Sequence, residues 1–248
     1  MGKSSRERSA RERIAEERRL QAKRDKQVKA LAVGGGALAL IAVAVGLVVL
    51  ANSGGGDKME YTGALAPTSR QDDGSVVMAK EGVTGPTVEV YEDFQCPACK
   101  SLEETTGATL KELAAQGKAR VVYRPFRLFS EDPLKSNSER AANAALCAPG
   151  DNWVRFHDRL FAEQPKEGKV GFENSDLIAW AADYGISGSA FESCVNGNEK
   201  SAQVQAMTDH AFNIGKVQST PTIMLDGKNI TEQAWTPDDL TKAVTGTS

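Results

Sequence analysis

Hydrophobic and polar positions change character along the 248-residue chain. Residues 1–29 are mostly charged or small. Residues 30–51 (ALAVGGGALALIAVAVGLVVLA) carry no charge at all. Twenty-two helical residues rise about 33 Å, close to a hydrocarbon core of about 30 Å. The stretch is therefore predicted to be a single transmembrane helix; a buried helix of a water-soluble core is the alternative. Its four glycines would weaken a helix in water but are tolerated in lipid. Residues 52–80, with SGGGD and APTSRQDDGS, read as a linker holding one short strand at 75–79. The body, 81–248, is long enough for one core and too short for two ordinary domains.

Within the body, TVEVY at 87–91 alternates and is rich in β-formers, which predicts a strand. From Cys96 onward, Cys99, Leu102, Thr106, Leu110 and Leu113 recur at steps of three or four, predicting a helix that Gly117 ends. ARVVY at 119–123 is a second strand, closed by Pro125. Strand, helix and strand form a β-α-β unit, hence parallel strands and a right-handed crossover. From about 133 to 215 the pattern is helical, with segments around 138–147, 153–163, 175–184, 189–195 and 199–214. Trp153, Phe156, Leu160 and Phe161 share one helical face and read as core. His157 and His210 read as surface or packing groups. Thr222–Leu225 is a strand, Asp226-Gly227 a hairpin turn and Asn229–Ala234 its partner. Thr236-Pro237 opens a last helix to about Val244, with Thr as cap and Pro in the first turn. The order is β-α-β, a block of helices, then β-β-α: an α/β fold with a helical insertion and a preceding membrane span.

Charge adds orientation. Residues 1–29 hold eleven Lys/Arg and five Asp/Glu, a net of +6; the whole chain is −3, so the rest carries −9. A basic tail stays on the cytoplasmic side, which sends residues 52–248 out of the cytoplasm and makes membrane lipid the partner of 30–51. The apolar run exceeds the usual 7–15 residues of a cleaved signal peptide, so an uncleaved anchor is favoured. The acidic body would repel phosphates, which argues against nucleic acid as a partner.

The chemistry sits in Asp93-Phe94-Gln95-Cys96-Pro97-Ala98-Cys99-Lys100, between a predicted strand and helix. Two Cys three apart at a helix start can close a small disulfide ring. Free N–H groups and the dipole there stabilise the Cys96 thiolate, and Pro97 removes no helical hydrogen bond in that first turn. A zinc half-site would need two further ligands at metal-like spacing, which the isolated Cys147 and Cys194 do not provide. No metal or cofactor is therefore expected. A purely structural Cys96–Cys99 disulfide is the other alternative to redox activity.

DFQCPACK, the later VQSTPTIMLDG and the helical stretch between them resemble the DsbA-like branch of the thioredoxin superfamily, in a membrane-anchored version, over about residues 75–248. The resemblance implies that Cys96 is the sulfur that forms the mixed disulfide and Cys99 the buried resolving sulfur. It implies a cis-proline at Thr220-Pro221, the pair lining the substrate groove; an ordinary trans-Pro opening an edge strand is the alternative. Relatives with an extra bridge imply a structural disulfide between Cys147 and Cys194, against two buried free thiols or a second redox pair. The sequence departs from relatives at two places. Many carry a buried acid six positions before the first Cys, where Val90 stands; Glu92 or water is a weak substitute. Ala98 stands where strongly oxidising members have His.

The resemblance implies disulfide formation in exported polypeptides that carry Cys, with a membrane redox partner to reoxidise the pair. A reductase or isomerase and a membrane-tethered, non-catalytic binding module are the alternatives.

Overall fold

The computed structural model describes residues 61–150 and 152–246. The expected tail at 1–29, membrane span at 30–51 and start of the linker lie outside the described residues. Among the described residues no helix is long and apolar enough to cross a membrane.

The sheet has six strands in the order β1-β2-β4-β3-β5-β6. They are β1 Thr68–Arg70, β2 Val76–Met78, β3 Thr87–Glu92, β4 Arg120–Pro125, β5 Thr222–Leu225 and β6 Lys228–Asn229. β3 and β4 run parallel, Val88 opposite Val121; every other pairing is antiparallel. Val88, Val90, Val121, Tyr123 and Ile223 are fully buried in the centre of the sheet. The sheet begins at Thr68, inside the stretch expected to be a linker. β1 is polar and half-exposed, so its residues carry no apolar alternation. Its Arg70 donates to the Ala145 and Ala148 carbonyls at 2.9 and 2.6 Å. The turn to β2 closes through Asp73, whose Oδ1 accepts from the Ser75 N–H at 2.9 Å.

The predicted helix after β3 is built as α1 Pro97–Leu102, a π-helical turn at Glu103–Gly107, and α2 Ala108–Ala115. Thr105 and Thr106 donate to the Ser101 and Leu102 carbonyls at 2.7 and 3.2 Å, competing with the i→i−4 ladder where it widens. The turn aims Glu103 inward beside Lys111. A Cβ at Gly107 would meet the end of the Glu103 side chain, so glycine there leaves room for this buried acid beside Lys111.

Five helices follow: α3 Leu134–Cys147, α4 Trp153–Ala162, α5 Asn174–Ala182, α6 Ser189–Asn196 and α7 Ser201–Asn213. Trp153, Phe156, Leu160 and Phe161 are buried, as their spacing predicts. The partner of β5 is shorter than predicted. β6 stops at Asn229 because the Thr231 hydroxyl, in place of a backbone carbonyl, takes the Ile223 N–H at 2.9 Å. A 3-10 turn at Gln233–Trp235 leads to α8 Pro237–Thr245, capped by Thr236 Oγ1 accepting from the Asp239 N–H at 3.2 Å.

Candidate active site

β3 ends beside the parallel strand β4, and the chain turns at once into α1, which places Cys96 at the N-cap with extended backbone (φ −80°, ψ 117°). Asp93 shapes this turn. Its buried carboxylate accepts from the Gln95 N–H (2.8 Å), the Leu128 N–H (2.7 Å) and the Ser138 hydroxyl (2.7 Å). Burial pushes the Asp93 carboxyl up to about 6 against the pull of these bonds. The helical insertion grips the same turn. Gln164 donates to the carbonyls of Phe94 (2.7 Å) and Cys96 (3.0 Å), Gln95 to the Pro165 carbonyl (3.0 Å), and Lys100 to the Ala162 carbonyl (2.9 Å).

Both thiols of the Cys-Pro-Ala-Cys segment are free and buried, Cys96 6% and Cys99 1% exposed. Their environments push them apart. The Cys99 S–H donates to Cys96 and outweighs burial, so the Cys96 thiol falls from 9.0 to about 7. Burial, then that same hydrogen bond, pushes Cys99 well above 9.0. One sulfur is thus poised as a thiolate near neutrality while its neighbour keeps its proton. Thr220-Pro221 is a cis peptide. It lies against the pair, the Cys96 sulfur being 3.6 Å from the Thr220 carbonyl oxygen. The Thr220 side chain also faces Cys96 and adds to the lowering of its thiol.

Iodoacetamide should therefore alkylate reduced Cys96 with a half-maximal rate near pH 7. Its thiolate fraction grows as pH rises through that value, while Cys99 stays unreactive up to pH 9. Cys99→Ala removes the donor and should move the midpoint upward. A wild-type midpoint at or above 8.5, the range of an unstructured Cys, would contradict the geometry.

Cys147 and Cys194 are disulfide-bonded, tying the end of α3 to α6. Sequence reasoning took Glu92 only as a weak substitute for the missing acid and missed Glu103, Lys111 and Asp158 as buried charges. Glu92 is buried, and its Oε1 lies 2.7 Å from His157 Nε2. His157, expected at the surface or as packing, is fully buried, and its Nδ1 lies 3.1 Å from Asp158 Oδ1. Asp158 in turn pairs with Lys111 at 2.9 Å, and Lys111 with Glu103 at 3.4 Å. The signal was present: His157 stands four residues after Trp153, on the apolar face of its helix, followed by an acid. Glu92, Glu103 and His157 bring ligand-type atoms within 4.8 Å of one another. Both His157 nitrogens already face carboxylates, which suits an imidazolium and leaves no lone pair for a metal. His210 sits on the opposite side of β3, stacked on Tyr91 with ring centroids 6.2 Å apart.

A thiol pair at the first turn of the helix after a central strand, opposite a cis-proline, defines the thioredoxin-fold dithiol class. The thioredoxin family model matches residues 83–245, and the chain belongs to that family. No individually curated protein matches it. Among solved structures it is similar to oxidised DsbA of Mycobacterium tuberculosis, with 27% identity, TM-score 0.58, and 73% of this chain and 93% of that one covered. DsbG of the same organism, a disulfide bond oxidoreductase, gives 26% identity and TM-score 0.58, covering 81% and 93%. The fold also matches MdbA of Corynebacterium diphtheriae, a thiol-disulfide oxidoreductase, with 24% identity and TM-score 0.61 over 72% and 95%. Fold and relatives together place the chain among the DsbA-like protein-disulfide oxidoreductases.

Proposed function

We propose that this protein forms disulfides in Cys-containing polypeptides outside the cytoplasm, held at the membrane by residues 30–51. The observation that carries the redox reading is the split between the two thiols: a lowered Cys96 next to a raised Cys99. A stabilised thiolate is a good leaving group, so it favours giving the disulfide away. The location rests on the uncharged 22-residue stretch and the basic tail before it. A substrate thiolate attacks Cys96 in the Cys96–Cys99 disulfide, and Cys99 departs. A second substrate thiolate then displaces Cys96, leaving both enzyme thiols reduced. A membrane redox partner withdraws the two electrons and restores the disulfide. Thr220 and Pro221 border the groove in which the substrate segment lies.

The test is trapping. Cys99→Ser should accumulate mixed disulfides between Cys96 and exported proteins, visible as adducts that dithiothreitol releases. If Cys99→Ser yields no adduct while Cys96→Ser still binds clients normally, the protein is a binding module. An equilibrium potential against glutathione near the thioredoxin value of about −270 mV would assign a reductase instead.

A further inference from the structure

Gln164 stands just past the end of α4, where the helical insertion meets the turn that carries Cys96. Its backbone has a rigid base. The Gln164 N–H donates to the Phe161 carbonyl at 3.2 Å, and the Phe161 ring is buried against Phe94 with centroids 5.0 Å apart. The loop that follows is pinned at both ends. Gln95 donates to the Pro165 carbonyl at 3.0 Å, and Asn137 of α3 holds the Lys169 carbonyl (2.8 Å) and the Gly171 N–H (3.0 Å). Arg140, also on α3, donates to the Gly171 and Phe172 carbonyls at 2.6 and 2.9 Å. From this base one side-chain amide reaches two backbone oxygens, those of Phe94 and Cys96, at 2.7 and 3.0 Å.

These bonds bear on the backbone of Cys96. Its own N–H donates to the Asp93 carbonyl at 2.9 Å, which holds the peptide before it. Its carbonyl takes the Lys100 N–H at 3.2 Å and the Gln164 amide, which hold the peptide after it. Peptides are planar, so the two planes together fix φ and ψ of Cys96 and the direction of its Cα–Cβ bond. That direction sets where the sulfur stands relative to the Cys99 S–H and the Cys99 backbone N–H, both of which bear on it. Those donors belong to α1. A rotation of the Cys96 backbone would draw the sulfur away from them. Lys100 is part of the same helix, so Gln164 is the hold on the Cys96 carbonyl that comes from outside it.

We propose that Gln164 is a positioning residue for disulfide exchange: its side-chain amide, reaching in from the helical insertion, fixes the Phe94 and Cys96 carbonyls and so aims the Cys96 sulfur at the first turn of α1. The inference rests on the exchange reading above and gives the insertion a part in it. Gln164 gains and loses no proton. It acts through the Cys96 backbone. The other ties between turn and insertion run the opposite way. Gln95 and Lys100 are side chains of the turn and α1 that hold insertion carbonyls, at Pro165 and Ala162, and neither side chain holds the Cys96 backbone.

Gln164→Met keeps the length of the side chain and removes both donors. The ionisable groups bearing on Cys96 are the Cys99 thiol and the Asp93 carboxyl. The substitution alters neither, so a shift in the Cys96 profile reads geometry. In the reduced protein the half-maximal pH for iodoacetamide alkylation of Cys96 should rise by about half a unit. The equilibrium with glutathione should move about threefold toward the Cys96–Cys99 disulfide, roughly 14 mV for a two-electron couple. Arg140→Met frees the far end of the same loop and serves as the control. It should lower Tm and leave the alkylation midpoint within about 0.2 units of wild type. A Gln164→Met protein that loses Tm but keeps the wild-type midpoint and equilibrium overturns the proposal, because Gln164 would then be only a tie. Equal shifts in both variants overturn it too. Should Gln164→Met fail to fold, the Gln164 side-chain amide protons are followed by NMR in the wild type. In the reduced protein they should titrate with Cys96, with a step near its value of about 7 that the oxidised protein lacks. A flat titration from pH 5 to 9 overturns the proposal. Failure of the wild type to exchange disulfides, with the Gln164→Met shift still present, would instead defeat the exchange reading beneath it.

Discussion

Replacing Lys111 with Met is expected to cost the fold about 3–5 kcal/mol, the penalty for leaving a buried ion pair with one partner. Lys111 is 3% exposed, and its ammonium lies 2.9 Å from Asp158 and 3.4 Å from Glu103. Met preserves the apolar stem and removes only the charge, so the loss reads electrostatics rather than packing. Burial pulls the ammonium's pKa down, but the charges of Glu103 and Asp158 outweigh it and raise it above 10.5. A raised folded pKa means that the contribution is complete below the unfolded lysine's value. It is lost only as pH rises through the higher folded value, so the deficit of Lys111→Met should hold at pH 7 and shrink under strongly alkaline conditions. Urea unfolding of the oxidised protein measures it. Lys111→Met combined with Glu103→Gln should recover part of the loss, because it removes a cation and an acid together. A single variant within 1 kcal/mol of wild type would mean that these acids are not charged in the folded state.

Why was this cluster harder to read than the thiols? CPAC announces itself because its chemistry is local: two sulfurs, a proline and a strand-to-helix change within eight residues. The β-α-β unit was legible for the same reason, since Val88, Val90, Val121 and Val122 alternate or run together over short strands. Glu92, Glu103, Lys111 and His157 span 65 positions, and any helix surface carries residues of those types. Only tertiary packing turns them inward. The π-helical turn is part of the reason. A regular α-helix is predicted from Cys96 to Gly117; its expected face, Leu102, Thr106, Leu110 and Leu113, is buried, and Glu103 in the π-helical turn and Lys111 beyond it are buried in addition. β1 escaped for the opposite reason. Thr68, Ser69 and Arg70 pair with β2 through backbone groups, and the long reach of Arg70 to α3 leaves no trace in hydropathy. Val90, the place of the acid in many relatives, is a core residue with 0% exposure; the nearest buried carboxylate stands two residues later in β3.

The second large effect concerns the bridge between α3 and α6. Cys147 and Cys194 are 47 residues apart, and closing such a loop constrains the unfolded chain by about 4 kcal/mol in the entropy model. Cys147→Ala combined with Cys194→Ala should therefore lower stability by about that amount, which for a domain of this size is a fall in Tm of roughly 10 °C. The loss should come from the unfolded state, because other bonds hold the two helices together. The Asn143 amide donates to the Cys194 carbonyl at 3.4 Å, and its oxygen accepts from the Lys200 N–H at 2.9 Å. Exchange by the CPAC pair at 25 °C should survive, since its turn is held by Gln164, Gln95 and Asp93, none of which touches the bridge. Calorimetry paired with an exchange assay separates the outcomes. An unchanged Tm would show that the bridge does not constrain the unfolded chain. A loss of exchange in protein that is still folded would show that the bridge takes part in the chemistry, and that the insertion transmits its state to Cys96 through the contacts of Gln164.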